Sequence, residues 1–154
     1  MDPRELAMES LVPHRGGMLW LDRVLHLDAE NVVAEATVRD DDLLLEDNTE
    51  AVPAWVGIEY MAQAIAAWAG GRALARDEAV KPGFLLGTRR YDAAWDRLPV
   101  GSVLRIEARC ELMGDNGLGL FACRLLVGEA VVATASVSVF EPPDPDAYLG
   151  TASA

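Results

Sequence analysis

Residues 53–75 constrain this chain more than any other stretch. Val56, Ile58, Met61, Ala62, Ile65, Ala66, Trp68 and Ala69 spread apolar side chains around most of a helical circumference before Gly70 and Gly71. A helix that is apolar on nearly every side is buried, not laid on a surface. Pro53 suits the first helical position, where its missing N–H costs nothing. Gly57 is tolerated near the start, and the many alanines allow a neighbouring layer to come close. A single buried helix needs something curled around it. In 154 residues, a length that suits one domain, the rest of the chain must supply the wrapping.

The flanking sequence supplies strands. Residues 19–27 read as one, with Leu19, Leu21, Leu25 and Leu27 on a common face. Val32, Ala34, Ala36 and Val38 alternate with Val33, Glu35, Thr37 and Arg39, the two-residue period of a half-buried strand. Residues 28–31 make the turn between them. After the helix, residues 84–95 form a long strand with a bulge near Arg89 and Arg90. Leu104, Ile106, Ala108, Cys110 and Leu112 alternate with charged residues. Asp115-Asn116-Gly117 signals a turn, residues 119–127 the next strand, and Gly128-Glu129 a two-residue hairpin. In the last strand, residues 131–140, Val131, Ala133, Ala135, Val137 and Val139 face one way. A short helix is expected over residues 3–10, a loop over 13–17 and an acidic irregular stretch over 40–48. The result is an α+β domain over residues 1–141, a curled antiparallel sheet around one long helix. Residues 142–154, opening on a proline-rich run, are expected to be a flexible tail.

Thirteen basic against twenty-five acidic residues give a net charge of −12. Nucleic-acid binding needs clustered Lys and Arg, so that class is disfavoured. The N-terminus is too polar for a signal peptide, and no apolar run is long enough for membrane insertion. Cys110 and Cys123 read as small buried thiols, reduced in a cytoplasmic protein. Two cysteines and two histidines so dispersed do not make a zinc site. Trp20, Trp55, Trp68 and Trp95 read first as core residues. Trp55, at the helix start, is the one to place near a bound ligand.

Two motifs carry a resemblance. Pro13-His14-Arg15-Gly16-Gly17-Met18-Leu19-Trp20-Leu21-Asp22-Arg23 is similar to the Pro-His-Arg-x-Pro-Met-Leu-Leu-Leu-Asp-Arg opening of the hotdog-fold dehydratases that act on 3-hydroxyacyl chains of acyl carrier protein. Val52-Pro53-Ala54-Trp55-Val56-Gly57-Ile58-Glu59-Tyr60-Met61-Ala62-Gln63-Ala64 resembles the start of their central helix, where Glu-x-Met-Ala-Gln recurs. The strand over residues 131–140 adds a less specific third likeness. Within that family the chain looks most like the dehydratase-like proteins of aryl-polyene-type lipid pathways. The resemblance implies a hotdog fold. It also implies a dimer, of identical or different hotdog chains, with the site between subunits. The implied partner is acyl carrier protein bearing a phosphopantetheine-linked acyl group, or acyl-coenzyme A, in fatty-acid- or polyene-type lipid synthesis. No metal or organic cofactor is implied. One departure stands out: the usual dehydratases hold a catalytic His in a loop at the place of Leu45, fourteen positions before Glu59. No His lies there, and only His14 and His26 are available to replace it.

Dehydration needs a base for the proton beside the carbonyl, a donor to the thioester oxygen and an acid for the leaving hydroxyl. Glu59, within an otherwise apolar helix, is the candidate proton shuttle, with burial expected to raise its pKa. Gln63, four residues on, shares its face and can hold the carboxylate. The N–H groups of Trp55 and Val56 at the helix start suit the thioester oxygen. His14 is the candidate base, paired with Glu59 across the cleft. Arg15, with Arg89, Arg90, Arg72 and Arg76, would furnish the positive surface that an acidic carrier protein requires. Plainer readings stand beside these. Glu59 can be a rim carboxylate, Gln63 a structural hydrogen bonder, His14 a helix cap or a residue packed under the sheet, and the arginines scattered and solvated. His26 reads as a surface residue. Two other functions fit the same fold: an acyl thioesterase using Glu59 beside a water, and a non-catalytic subunit of a heteromeric dehydratase.

Overall fold

The computed structural model describes residues 7–11, 19–39, 51–78 and 83–141. Elements follow in the order α1 (Met8–Leu11), β1 (Arg23–Leu27), β2 (Asn31–Thr37), β3 (Ala51–Pro53), a 3-10 turn (Ala54–Val56), α2 (Gly57–Ala75), β4 (Phe84–Ala93), β5 (Arg97–Pro99), β6 (Val103–Met113), β7 (Leu118–Val127) and β8 (Ala130–Phe140). Six strands make one sheet in the order β1-β2-β6-β7-β8-β4, each pair antiparallel. That sheet curls around α2, which touches all six of its strands. β3 and β5 pair apart from it, with Val52 against Leu98, both buried.

The long helix is buried as its composition requires. Gly57, Tyr60, Met61, Gln63, Ala64, Ile65, Ala67, Trp68, Gly70 and Gly71 are all inside. One stripe is left half-buried: Ile58, Glu59, Ala62, Ala66 and Ala69. Trp68 meets Phe121 edge-on, ring centroids 5.3 Å apart, an arrangement worth about 1 kcal/mol beyond burial. At Gly70 a Cβ would stand 2.7 Å from the backbone carbonyl carbon of Leu11 and closer still to its oxygen, so only glycine lets α1 rest on α2.

Several strand expectations are corrected. The helix begins at Gly57, four residues after Pro53; Pro53 is extended and ends β3, because β5 recruits residues 51–53 as a strand. β1 begins at Arg23, so Leu19 and Leu21 are buried without belonging to a strand. A register shift between Val24 and His26 buries Val24 and leaves Leu25 half-buried. A second shift at Cys110 ends the clean alternation of β6: Cys110 is half-buried and Leu112 is 60% exposed. A third, between Leu125 and Leu126, turns Val131 outward and Val132 inward. The bulge expected near Arg89 and Arg90 is present, with pairing shifted between Arg89 and Asp92. Cys123 is buried as expected. The first helix is described only from Met8, and the 13–17 loop, the acidic stretch and the tail lie outside the described residues.

Candidate functional site

Glu59 and Gln63 stand one turn apart on α2, as their spacing requires. Gln63 is fully buried, the one buried polar side chain among the described residues. Its carbonyl oxygen accepts the backbone N–H of Trp20 at 2.9 Å. That bond orients the amide, so the Nε2 side donates to Glu59 Oε1 at 3.1 Å. The carboxylate is therefore held by a relay that begins at the main chain of the segment before β1.

That segment is itself fastened. Arg39 Nη2 donates to the carbonyl of Leu19 at 2.7 Å. Asp22 donates its N–H to the Glu35 carbonyl, and its carboxylate accepts the N–H of Thr37, both at 2.8 Å. Trp20 lies against Tyr60, ring centroids 5.1 Å apart. The end of the Pro-His motif is thus pinned beside the Glu59 turn. Sequence reading did not single out Arg39 or Asp22 for this role. Asp22 lay within the motif, but nothing local marks a strand-end Arg as a clamp on another strand's approach.

Glu59 opens onto a cavity of about 240 Å³. One wall is the half-buried stripe of α2, running from Glu59 through Ala62 and Ala66 to Ala69, about 15 Å at 1.5 Å per residue. Across from it stand Leu85, Met113, Phe121 and Val139. Ala64 and Ala67 pack fully buried in the core, while Ala62, Ala66 and Ala69 leave a slot, with small side chains along α2 and larger apolar ones in the rest of the lining. A polar head on an apolar slot is the usual form of a small-molecule site.

The other expected residues fall as follows. The side chain of Val56 is in the core, so only its N–H can serve a ligand. Trp55 is 59% exposed and Trp95 37%, against the core reading; Trp20 and Trp68 are core. The Trp55 and Val56 N–H groups belong to the 3-10 turn that leads into α2, the positive end of the helix dipole. His14 and Arg15 lie outside the described residues. His26 is on the surface, bonded to Asp28 at 2.7 Å. The basic residues do not form one patch. Arg72 lies over the Trp68 ring, 4.7 Å from its centroid, and Arg76 caps the helix end. Arg89 and Arg90 sit on β4 beside Tyr91, whose hydroxyl reaches the helix start. Arg72 lies in the last turn of α2 and Arg76 just past it, roughly 22 Å or more along the axis from Gly57 at its start.

Comparison with known proteins decides the family. A model of the ApeP-like family, described as ApeP dehydratase, matches residues 6–150. The chain belongs to the ApeP-like family of dehydratases. Among solved structures, the dehydratase heterocomplex ApeI:P from Xenorhabdus doucetiae superposes with a TM-score of 0.86 at 29% identity, over 95% of this chain and 97% of that one. More distant likenesses include a mutant of the phenylacetic acid degradation protein PaaI from Thermus thermophilus. It has a TM-score of 0.59 and 20% identity, covering 87% of this chain and 96% of that one. A hypothetical thioesterase with coenzyme A from Streptococcus pneumoniae gives a TM-score of 0.55 and 15% identity, covering 77% and 84%. These two show the fold alone. No curated protein sequence matches the chain. The ApeP-like dehydratase is thus an α+β hotdog domain, as the resemblance implied. No helix among its described residues is long and apolar enough to cross a membrane.

Proposed function

We propose that this ApeP-like dehydratase converts a 3-hydroxyacyl thioester, carried on acyl carrier protein, to the 2-enoyl thioester in aryl-polyene-type lipid synthesis. The observation that carries the reading is the relay from the Trp20 N–H through Gln63 to Glu59, set at the head of an apolar slot. The acyl chain lies along the Ala62–Ala66–Ala69 stripe. Its thioester carbonyl accepts the N–H groups of Trp55 and Val56 at the helix start. Trp55 stands exposed at that rim, where the pantetheine end of the substrate arrives.

His14 takes the proton from the carbon next to the carbonyl. The freed electron pair forms the new double bond as the carbon–oxygen bond at the third carbon breaks. Glu59 protonates the departing hydroxyl, which leaves as water. Each acid–base contribution is typically worth about 10²–10⁴-fold. Six positions separate His14 from the tethered Trp20, a reach of up to about 20 Å, which is compatible with the Glu59 end of the slot. Arg15, next in sequence, meets the phosphopantetheine phosphate in this arrangement.

The protein works as a hotdog dimer. Among the described residues β4 pairs on one side only, with β8, and carries exposed Leu85 and Leu86. An open, apolar sheet edge invites another strand. Leu85 also lines the slot, so a second subunit docked there closes its wall. A second reading has the chain acting as one subunit of a heteromeric dehydratase. It is favoured by the absence of a His near Leu45 and by the likeness to ApeI:P, itself a heterocomplex.

The test offers the purified protein 3-hydroxyacyl and 2-enoyl thioesters on carrier protein and on coenzyme A, with products followed by mass. Loss or gain of water that disappears in His14→Ala and Glu59→Gln supports the pair as assigned. Release of free thiol moves the protein to the thioesterases. A folded dimer inert on every substrate selects the heteromeric reading.

A further inference from the structure

Ala54 is held at both of its backbone polar groups. Its N–H donates to the Asp96 carbonyl at 2.9 Å, and its own carbonyl accepts the hydroxyl of Tyr91. The same carbonyl takes the N–H of Gly57, closing the 3-10 turn.

Two local departures from regular structure, and one missing side chain, make room for the Tyr91 bond. Strand β4 slips in register between Arg89 and Asp92. Arg90 takes a left-handed backbone, φ 55°, which a side chain disfavours. At the helix start stands Gly57, where a Cβ would collide with the Tyr91 hydroxyl and lie 2.6 Å from Leu125 Cδ1. Bulges re-aim side chains, and this one brings Tyr91 onto the helix entry. A strained residue beside a functional element is a pointer to a role there. Anchoring an edge strand would not need it, because β4 already pairs with β8 on both sides of the slip.

We propose that Tyr91 is a positioning residue: through the Ala54 carbonyl it fixes the 3-10 turn so that the Trp55 and Val56 N–H groups meet the thioester oxygen. The inference rests on the dehydratase reading above. Burial pushes the Tyr91 hydroxyl up to about 12, so it stays a protonated donor across the neutral range. Tyr91 does not touch the substrate. It sets the angle at which two backbone donors face the developing enolate, where small misplacements are costly.

Tyr91→Phe removes one hydroxyl and keeps the ring. Hydration of a 2-enoyl-pantetheine thioester is measured with the full-length protein and any subunit that copurifies with it. The carbonyl stretch of the same probe, labelled with carbon-13, is read by infrared difference spectroscopy in a Glu59→Gln background. The expected result is a kcat lower by about 10- to 100-fold with KM within about twofold, and a carbonyl band moved back toward its unbound position. Replacing Tyr91 with 3-fluorotyrosine, which keeps the hydroxyl, retains the parent kcat and band. A Tyr91→Phe protein with parent kcat and an unmoved band overturns the proposal, whatever its melting temperature. A rise in KM alone overturns it too, since that marks a substrate contact. No hydration by the parent protein on any thioester instead overturns the dehydratase reading itself, and activity surviving in Glu59→Gln overturns only the role of Glu59, so the failures are distinct.

Discussion

Glu59 and Gln63 divide one polar task inside an apolar helix. Gln63 is buried because both ends of its amide are satisfied, and each end has a different partner. Replacing it with Leu strips the Trp20 N–H of its acceptor, and a buried donor left unpaired costs about 1–3 kcal/mol. Gln63→Leu should therefore lower stability by about 2 kcal/mol in urea titration and free the Glu59 carboxylate to rotate. Under the proposed mechanism its kcat falls as well, while Gln63→Glu, able to accept but not to donate when ionised, shows a pH-dependent loss. The motif made the Glu–Gln pair legible, and helical spacing put the two on one face. Trp20 as the third member was not legible, because it lies forty-three positions away and binds through its main chain. His14 and Arg15 rest on the motif alone.

A second residue-scale prediction concerns Cys123. Burial pushes its thiol from the ordinary 9.0 up to about 12. The folded state thus favours the neutral thiol. Its contribution is full below pH 9, where the unfolded thiol is also protonated, and is lost as pH rises from there toward 12. Melting temperature should fall over that window, and more gently in Cys123→Ala. Alkylation at pH 8 should reach the half-buried Cys110 well before Cys123.

Element by element, the helix is where sequence and structure agree in kind and differ in boundary. An all-round apolar pattern correctly required burial. It did not reveal that residues 51–53 would pair with β5, because three-residue strands carry no periodicity to read. The register shifts in β1, β6 and β8 were likewise invisible: alternation extrapolated across a bulge places the side chains beyond it on the wrong face. Leu112 and Val131, expected inside, are exposed for that reason. The contact of α1 with α2 gives a direct test of packing. Gly70→Ala gains about 1 kcal/mol of helix propensity but drives a methyl into the Leu11 backbone, a clash of about 3 kcal/mol. The net loss should be about 2 kcal/mol in chemical denaturation.

At the scale of the whole molecule, a sheet wrapped around one helix leaves two edges. β1 and β4 are the outer strands, and β4 carries the exposed apolar pair Leu85 and Leu86. If the dimer forms through β4, Leu86→Glu should halve the mass seen by light scattering and reduce activity with it, while monomer folding persists. A variant that keeps both mass and activity would place the interface elsewhere. Under the proposed reading, a chain of net charge −12 would meet an acidic carrier protein only through local positive groups. Arg89 and Arg90 at the helix-start end are better placed for the thioester than Arg72 and Arg76, which lie at the far end of α2.

The most direct test follows a single atom. The protein, with any subunit that copurifies, is given a 2-enoyl thioester in water enriched in oxygen-18, and the 3-hydroxyacyl product is weighed. If Glu59 at the head of the slot moves the proton of that hydroxyl, the parent inserts one heavy oxygen, and Glu59→Gln slows insertion by at least about 100-fold with the fold intact. Heavy oxygen entering equally fast in Glu59→Gln would contradict the account and remove Glu59 from the chemistry.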